Sequence, residues 1–116
     1  MNILKNLIYK NGWLLIILLI SLGLSVSYSF YYRIKPVVDA AAYDKIAVNI
    51  VRGIGYREDA SVAIAYDYAL SRVGPLYEYF LAVIYKIFGH HYGAVWILQA
   101  FLHTVSAYLI YLICLL

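Results

Sequence analysis

Two stretches of this chain run apolar and uncharged, Asn11–Tyr32 and Ile87–Leu116, and between them short apolar faces alternate with charges. The first stretch has 22 residues. At about 1.5 Å per residue it reaches roughly 33 Å as a helix, enough to cross a hydrocarbon core of about 30 Å. Tyr9 and Trp13 mark one end and Phe30, Tyr31 and Tyr32 the other, where amphipathic rings favour the headgroup boundary. A cleaved leader would use Lys5 and Lys10 as its basic region and Ser25-Val26-Ser27 as its cleavage site. The apolar run continues past that point into aromatics, which favours a retained span over residues 11–32. In the second stretch FGHHYG is expected to turn the chain, leaving residues 94–116 as a second span. Gln99, His103, Thr104 and Ser106 fall mostly at spacings of three and four. They share a face that is expected to look at other protein rather than lipid.

The intervening segment, residues 33–93, carries two helical patterns. Tyr43, Ile46, Ala47 and Ile50 recur at the 3.6 period and predict a helix near residues 40–52, with Asp39 as its N-cap and Gly53 ending it. Pro75 suits a helix start, and Leu76, Phe80, Leu81, Ile84, Ile87 and Phe88 predict a second helix near 76–88. Glu78 and Lys86 interrupt its apolar face, so it is expected to lie at the membrane interface rather than to span. Val62–Arg72 gives a weaker signal of a further short helix. The fold class that follows is an all-α membrane protein, a single membrane region over residues 1–116. Two transmembrane helices are joined by a long extracytoplasmic loop bearing interfacial amphipathic helices. Two spans alone leave the polar face of the second without a partner, so a piece of a larger multi-span fold is expected.

Composition sharpens this. The chain is 66% hydrophobic and 13% charged, with a mean hydropathy of +0.81, whereas soluble domains are about a quarter charged. A net charge of +3, with bases scattered among acids, leaves no nucleic-acid footprint. Cys114 is the one cysteine and forms no internal disulfide. Lys5, Lys10 and the α-amino group precede the first span, and Arg33 and Lys35 follow it. This near-tie leans towards a cytoplasmic N-terminus, with the loop outside a plasma membrane or its equivalent.

All six acids lie between Arg33 and Lys86, so candidate chemistry is confined there. Asp39 reads as a helix cap, and a carboxylate held at a helix terminus is also well placed as a general base for an alcohol. His90, His91 and His103 lack metal-ligand spacing, and no cofactor is predicted, a divalent ion being left open. Gly53-Ile54-Gly55 lacks the flanking features of a dinucleotide fingerprint and reads as a turn. Arg57 and Arg72 are either solvated or phosphate-binding.

The order of parts resembles the N-terminal portion of the C-fold (GT-C) polytopic glycosyltransferases. The similarity is to the dolichyl-phosphate-mannose–protein mannosyltransferase-like and aminoarabinose-transferase-like enzymes. It rests on Asp39, Tyr43, Ala47, Gly53, Gly55 and Tyr56, followed by Gly74-Pro75-Leu76-Tyr77 and Ile87-Phe88-Gly89. The resemblance implies a transferase that takes a sugar from a polyprenyl-phosphate donor at the outer membrane face. Asp39 would be its catalytic base, and inversion is expected at the anomeric carbon. Tyr43, Arg57, Arg72, Tyr77 and Glu78 are the substrate-binding candidates. Membrane lipids and the remaining spans of a longer chain would be its other partners. Many relatives carry an Asp-Glu pair where this chain has Asp39-Ala40, so a second carboxylate is expected from Asp44, Asp59 or Glu78. The alternative is a non-enzymatic two-span subunit whose loop binds a partner.

Overall fold

The structure is a computed structural model and describes residues 12–67, 69 and 75–116. Lys5, Tyr9, Lys10, Asn11, Arg72 and Gly74 lie outside the described residues. These contain four α-helices and no strand: α1 (Gly12–Tyr32), α2 (Asp39–Val51), α3 (Pro75–Phe88) and α4 (Tyr92–Cys114). A three-residue 3₁₀ turn, Ile64–Tyr66, lies between α2 and α3. Helices α1 and α4 are long and apolar enough to cross a membrane. The chain divides into two compact units, Met1–Arg33 with Trp96–Leu116, and Ile34–Val95.

In the first unit the large side chains of α1 and α4 are mostly exposed, among them Ile17, Leu24, Leu109 and Ile113. Phe30 meets Trp96 edge-on at 5.3 Å. A groove of about 840 Å³ is lined in part by Tyr28, Tyr32, Trp96, Gln99 and His103. The polar face expected on the second span is partly silenced from within. Thr104 Oγ1 donates to the Ala100 carbonyl at 3.0 Å and Ser106 Oγ to Leu102 at 2.9 Å. On α1, Ser29 does the same to Ser25 at 3.0 Å. A hydroxyl bonded to its own helix needs no partner across an interface.

In the second unit α2 and α3 pack together. Ala42, Ile46 and Ala47 of α2 are buried, as are Leu81, Ala82, Ile84 and Tyr85 of α3. The small alanines let the helices approach, and Ile46, at 0% exposure, is the largest apolar side chain wholly enclosed among the described residues. Helix α2 ends in a Schellman motif, with Ile54 N–H on the Asn49 carbonyl at 3.0 Å and Gly53 N–H on Ile50 at 3.1 Å. Gly53 sits at φ 78, a conformation glycine adopts without penalty. Helix α3 opens on Pro75 and is followed by Gly89 at φ 77.

Two expectations are corrected. The N-cap of α2 is Val38, and Asp39 is the first helical residue. Val38 has φ 51 and ψ −116, and the Ala40 N–H bonds back to the Val37 carbonyl at 3.1 Å. This is the first central position of a type II′ turn, normally glycine. The turn brings the chain into the helix one residue early, and a valine side chain offers no acceptor for the helix's first amides. The further short helix over Val62–Arg72 is also not formed over Val62–Asp67. The chain makes one 3₁₀ turn and leaves it at Asp67, which is extended at φ −79, ψ 122.

Candidate functional site

Asp39 occupies the first turn of α2, where the helix dipole favours a carboxylate, and it is exposed. Tyr43 follows one turn later, on the same face. Its ring meets that of Tyr77 from α3 at 5.7 Å and 80°. Two of the predicted site residues, far apart in sequence, are thereby brought together, next to the turn that carries Asp39. Val38 directly before Asp39 holds a backbone conformation that costs a β-branched residue on the order of 1–3 kcal/mol. Strain of this kind concentrates where a fold must hold one residue in place.

Glu78 goes elsewhere. It was expected to break the apolar face of α3, yet it is fully buried, while Lys86 is exposed. Its burial has a specific partner: the Tyr56 hydroxyl donates to Glu78 Oε1 at 3.1 Å. Glu78 Oε2 is enclosed and has no hydrogen-bond partner among the described residues. Burial, then the bond to Glu78, pushes the Tyr56 hydroxyl up to about 12. The Gly53–Gly55 turn thus delivers Tyr56 onto α3, and the Tyr56 ring stacks on Tyr79 at 6.1 Å and 21°.

Arg57 is committed to the loop. Its Nη2 donates to the Val62 carbonyl, and its Nε lies 3.6 Å from Asp67 Oδ2. Asp67 is buried and gathers the loop around itself. It accepts backbone N–H bonds from Glu58 at 3.1 Å, Asp59 at 3.2 Å and Ala69 at 2.9 Å. Burial opposes its charge, but these bonds and the Arg57 guanidinium outweigh it and hold the carboxyl below its ordinary range. Asn49 closes the knot from α2, its amide donating to the Arg57 carbonyl at 2.8 Å. The Asp59 side chain points elsewhere, accepting from Ser61 N–H and Oγ at 2.8 and 2.6 Å. Those two bonds lower its carboxyl.

A cluster around Asp44 was not foreseen. Tyr85 donates to Asp44 Oδ1 at 2.5 Å, His90 Nε2 faces the same oxygen at 2.8 Å, and the Tyr92 hydroxyl reaches Oδ2 at 3.3 Å. The His90 ring is wedged edge-on against Tyr85 at 4.6 Å and Tyr92 at 5.1 Å. Burial, followed by Asp44, holds the Tyr85 hydroxyl far above the ordinary phenol range. With Nε2 carrying the proton, the carboxylate fixes the imidazole's tautomer and orientation, and the α3–α4 turn is clamped to α2. His90 lies 46 positions from Asp44, so no local spacing could have paired them.

Among the described residues no group of three or more histidines, cysteines or carboxylates is arranged to hold a metal ion. Of the three candidates for a second carboxylate, Asp44 is engaged by three side chains and Asp59 by Ser61. Glu78 keeps one oxygen uncommitted among the described residues. No family model matches this chain, and no curated protein or solved structure was found to be similar to it.

Proposed function

We propose that this chain is the N-terminal portion of a C-fold membrane glycosyltransferase, with α1 and α4 as its spans and the α2–α3 pair on the extracytoplasmic side. The reading is carried by one observation. Asp39 stands exposed on the first turn of α2, one turn before a tyrosine packed on Tyr77 of α3. Of the residues that bear the family resemblance, Asp39, Tyr43 and Ala47 lie on α2, and Pro75, Leu76, Tyr77, Ile87 and Phe88 on α3.

In this reading a polyprenyl-phosphate sugar keeps its tail in the bilayer and presents its anomeric carbon at headgroup depth. The Asp39 carboxylate takes the proton from an acceptor hydroxyl as that oxygen attacks the anomeric carbon. The bond from that carbon to the phosphate oxygen breaks, and polyprenyl phosphate leaves with the electron pair. One displacement inverts the centre. Tyr43 and Tyr77 border the reacting sugar. The committed guanidinium of Arg57 fits a structural role better than a phosphate clamp, which leaves Arg72 as the basic candidate for the leaving group. The donor groove requires further spans, so residues 1–116 alone are expected to be inactive.

The test is Asp39→Asn in the complete enzyme, reconstituted with radiolabelled polyprenyl-phosphate sugar. Turnover is expected to fall about 10²–10⁴-fold, the range for loss of a general base. Folding should be nearly unchanged, because the lost first-turn charge is worth under about 1 kcal/mol. Near-normal transfer by the variant would refute the assignment. Topology is read separately by introducing Asp39→Cys into a Cys114→Ser background. An impermeant maleimide should label it from outside, and labelling from the cytosolic side alone would refute the orientation.

A further inference from the structure

Helix α3 is apolar on two sides. One side packs on α2 through Leu81, Ala82, Ile84 and Tyr85, and Glu78 is buried there too. The other side carries Leu76 at 84% exposure, Val83 at 57% and Ile87 at 68%, with Phe80 half-buried among them. At about 100° per residue these four fall within about 60° of one another, opposite Glu78 and Tyr85. Tyr79 and Lys86, both exposed, share one flank of this outer stripe, and Tyr77 stands on the other. Each of the three has an apolar body and a polar tip.

The two helices of the pair differ on their outer sides. Helix α2 exposes Lys45, with Arg52 exposed directly after it, whereas the single exposed charge of α3 is Lys86, in its last turn. Chain connectivity says which apolar medium lies nearest the outer stripe. Helix α3 ends at Phe88, and α4, long and apolar enough to cross a membrane, starts at Tyr92. Even fully extended, that link spans at most about 14 Å. It is held shorter than that, because His90 in the turn and Tyr92 at the head of α4 both bond to Asp44 of α2. The C-terminal end of α3 therefore cannot leave the headgroup region of the bilayer that α4 enters. Ile87 and Val83 come first along the stripe from that end, and Lys86 beside them has the length to return its ammonium to the headgroups.

We propose that the Leu76, Phe80, Val83 and Ile87 face of α3 is a lipid-contact surface seated at the boundary between headgroups and acyl chains, and that α2 lies on the far side of α3, out of the lipid. This separates two helices that the sequence pattern expects to share the interface. Helix α3 is the membrane-facing layer, bordered by the polar tips of Tyr77, Tyr79 and Lys86, and α2 is the layer that meets water. The inference rests on α4 crossing the membrane and not on the transferase reading.

The experiment uses the full chain in phosphatidylcholine nanodiscs. Val83→Cys, Ile87→Cys, Lys45→Cys and Arg52→Cys, each in a Cys114→Ser background, carry a nitroxide, and its collisions with oxygen and with a water-soluble nickel chelate report depth. Labels at positions 83 and 87 should favour oxygen and lie about 5–10 Å below the lipid phosphates. Labels at 45 and 52 should favour nickel. A second measurement needs no substitution: in the unaltered chain, lipids with a nitroxide on the acyl chain should broaden the Val83 and Ile87 methyl resonances, and a soluble gadolinium chelate the Lys45 and Arg52 amides. Nickel access at 83 and 87 equal to that at 45 and 52 overturns the proposal, as does acyl-chain broadening that is equal on α2 and α3. Spin–spin broadening between labels at 83, relieved by diluting the labelled chain with unlabelled chain, overturns it in favour of a second copy on this face. Shielding of 83 and 87 from both reagents without such broadening overturns it too, since the chain itself would then cover the stripe. No turnover is read, so the outcome is independent of whether Asp39 supports transfer.

Discussion

The α2–α3 pair and the two long apolar helices treat their polar groups in opposite ways. On α1 and the later turns of α4, hydroxyls bond to carbonyls of their own helix, and large apolar side chains face outward. In α2–α3 the apolar side chains turn inward, and polar groups are bonded across long sequence separations. Tyr56 is paired with Glu78, and Tyr85 and His90 with Asp44, while in the loop between the helices Asp67 gathers three nearby backbone amides. The first arrangement suits a solvent that offers no hydrogen bonds, since each helix satisfies itself. The second suits water, which alone can reward hiding Ile46 and Ala47. One chain follows two rules of solubility, and its candidate site residues lie where the second rule holds.

The sharpest way to break this contrast is truncation of isoleucines in each region. Ile46→Ala should destabilise the α2–α3 pair by about 3 kcal/mol, as loss of an enclosed branched side chain does. Ile17→Ala, on an exposed face of α1, should change the same quantity by under about 0.5 kcal/mol. Hydrogen exchange of the α2 and α3 amides in micelles reads both, and equal effects would dissolve the distinction.

Next comes Tyr56→Phe, which strips Glu78 of its donor and should cost about 2 kcal/mol. The same bond gives an alkaline signature. The folded phenol titrates near 12 against an ordinary 10.0, so the folded state holds the proton longer. The corresponding stability is complete below about pH 10 and is lost as pH climbs towards 12. Unfolding monitored across that window should lose part of its pH dependence in the Phe variant.

Asp67 gives the opposite sign. Its carboxyl is lowered in the folded chain, so the unfolded state takes up the proton first. Stability is present above the ordinary value of 3.8 and fades as pH falls through the lower folded one. Faster exchange of the Glu58 and Asp59 amides below about pH 4 would register this, and Asp67→Asn should show no such acid response. The smallest change expected is a gain. Val38→Gly relieves the type II′ position and should stabilise the pair by about 1 kcal/mol, less the added freedom of glycine in the unfolded chain. A loss on this substitution would show that the valine makes contacts that outweigh its backbone strain.

Periodicity made the helices of this chain legible. Tyr43, Ile46, Ala47 and Ile50 mark α2 to within a residue of its observed bounds, and Gly53 marks its end because no other residue takes φ 78 so cheaply. The cap was missed because the deciding element is a backbone turn at Val38, and valine is the last residue expected there. Glu78 was misjudged for a different reason. A lone acid on an apolar face reads as exposed unless its partner is visible, and Tyr56 is 22 positions away. Arg57 looked available for phosphate because the acid that receives it, Asp67, sits in a segment whose apolar letters suggested a helix. Local pattern fixes where the chain coils; pairing across tens of residues decides which charges remain available.

The inward-turned hydroxyls of Ser29, Thr104 and Ser106 carry a consequence for how these helices would move. Where its donors are answered along its own length, a rod presents neighbours with a smoother coat, held there by fit and not by fixed pegs. Along those turns it is able to slide or swivel without breaking a bond, and ring contacts such as Phe30 on Trp96 resist that motion.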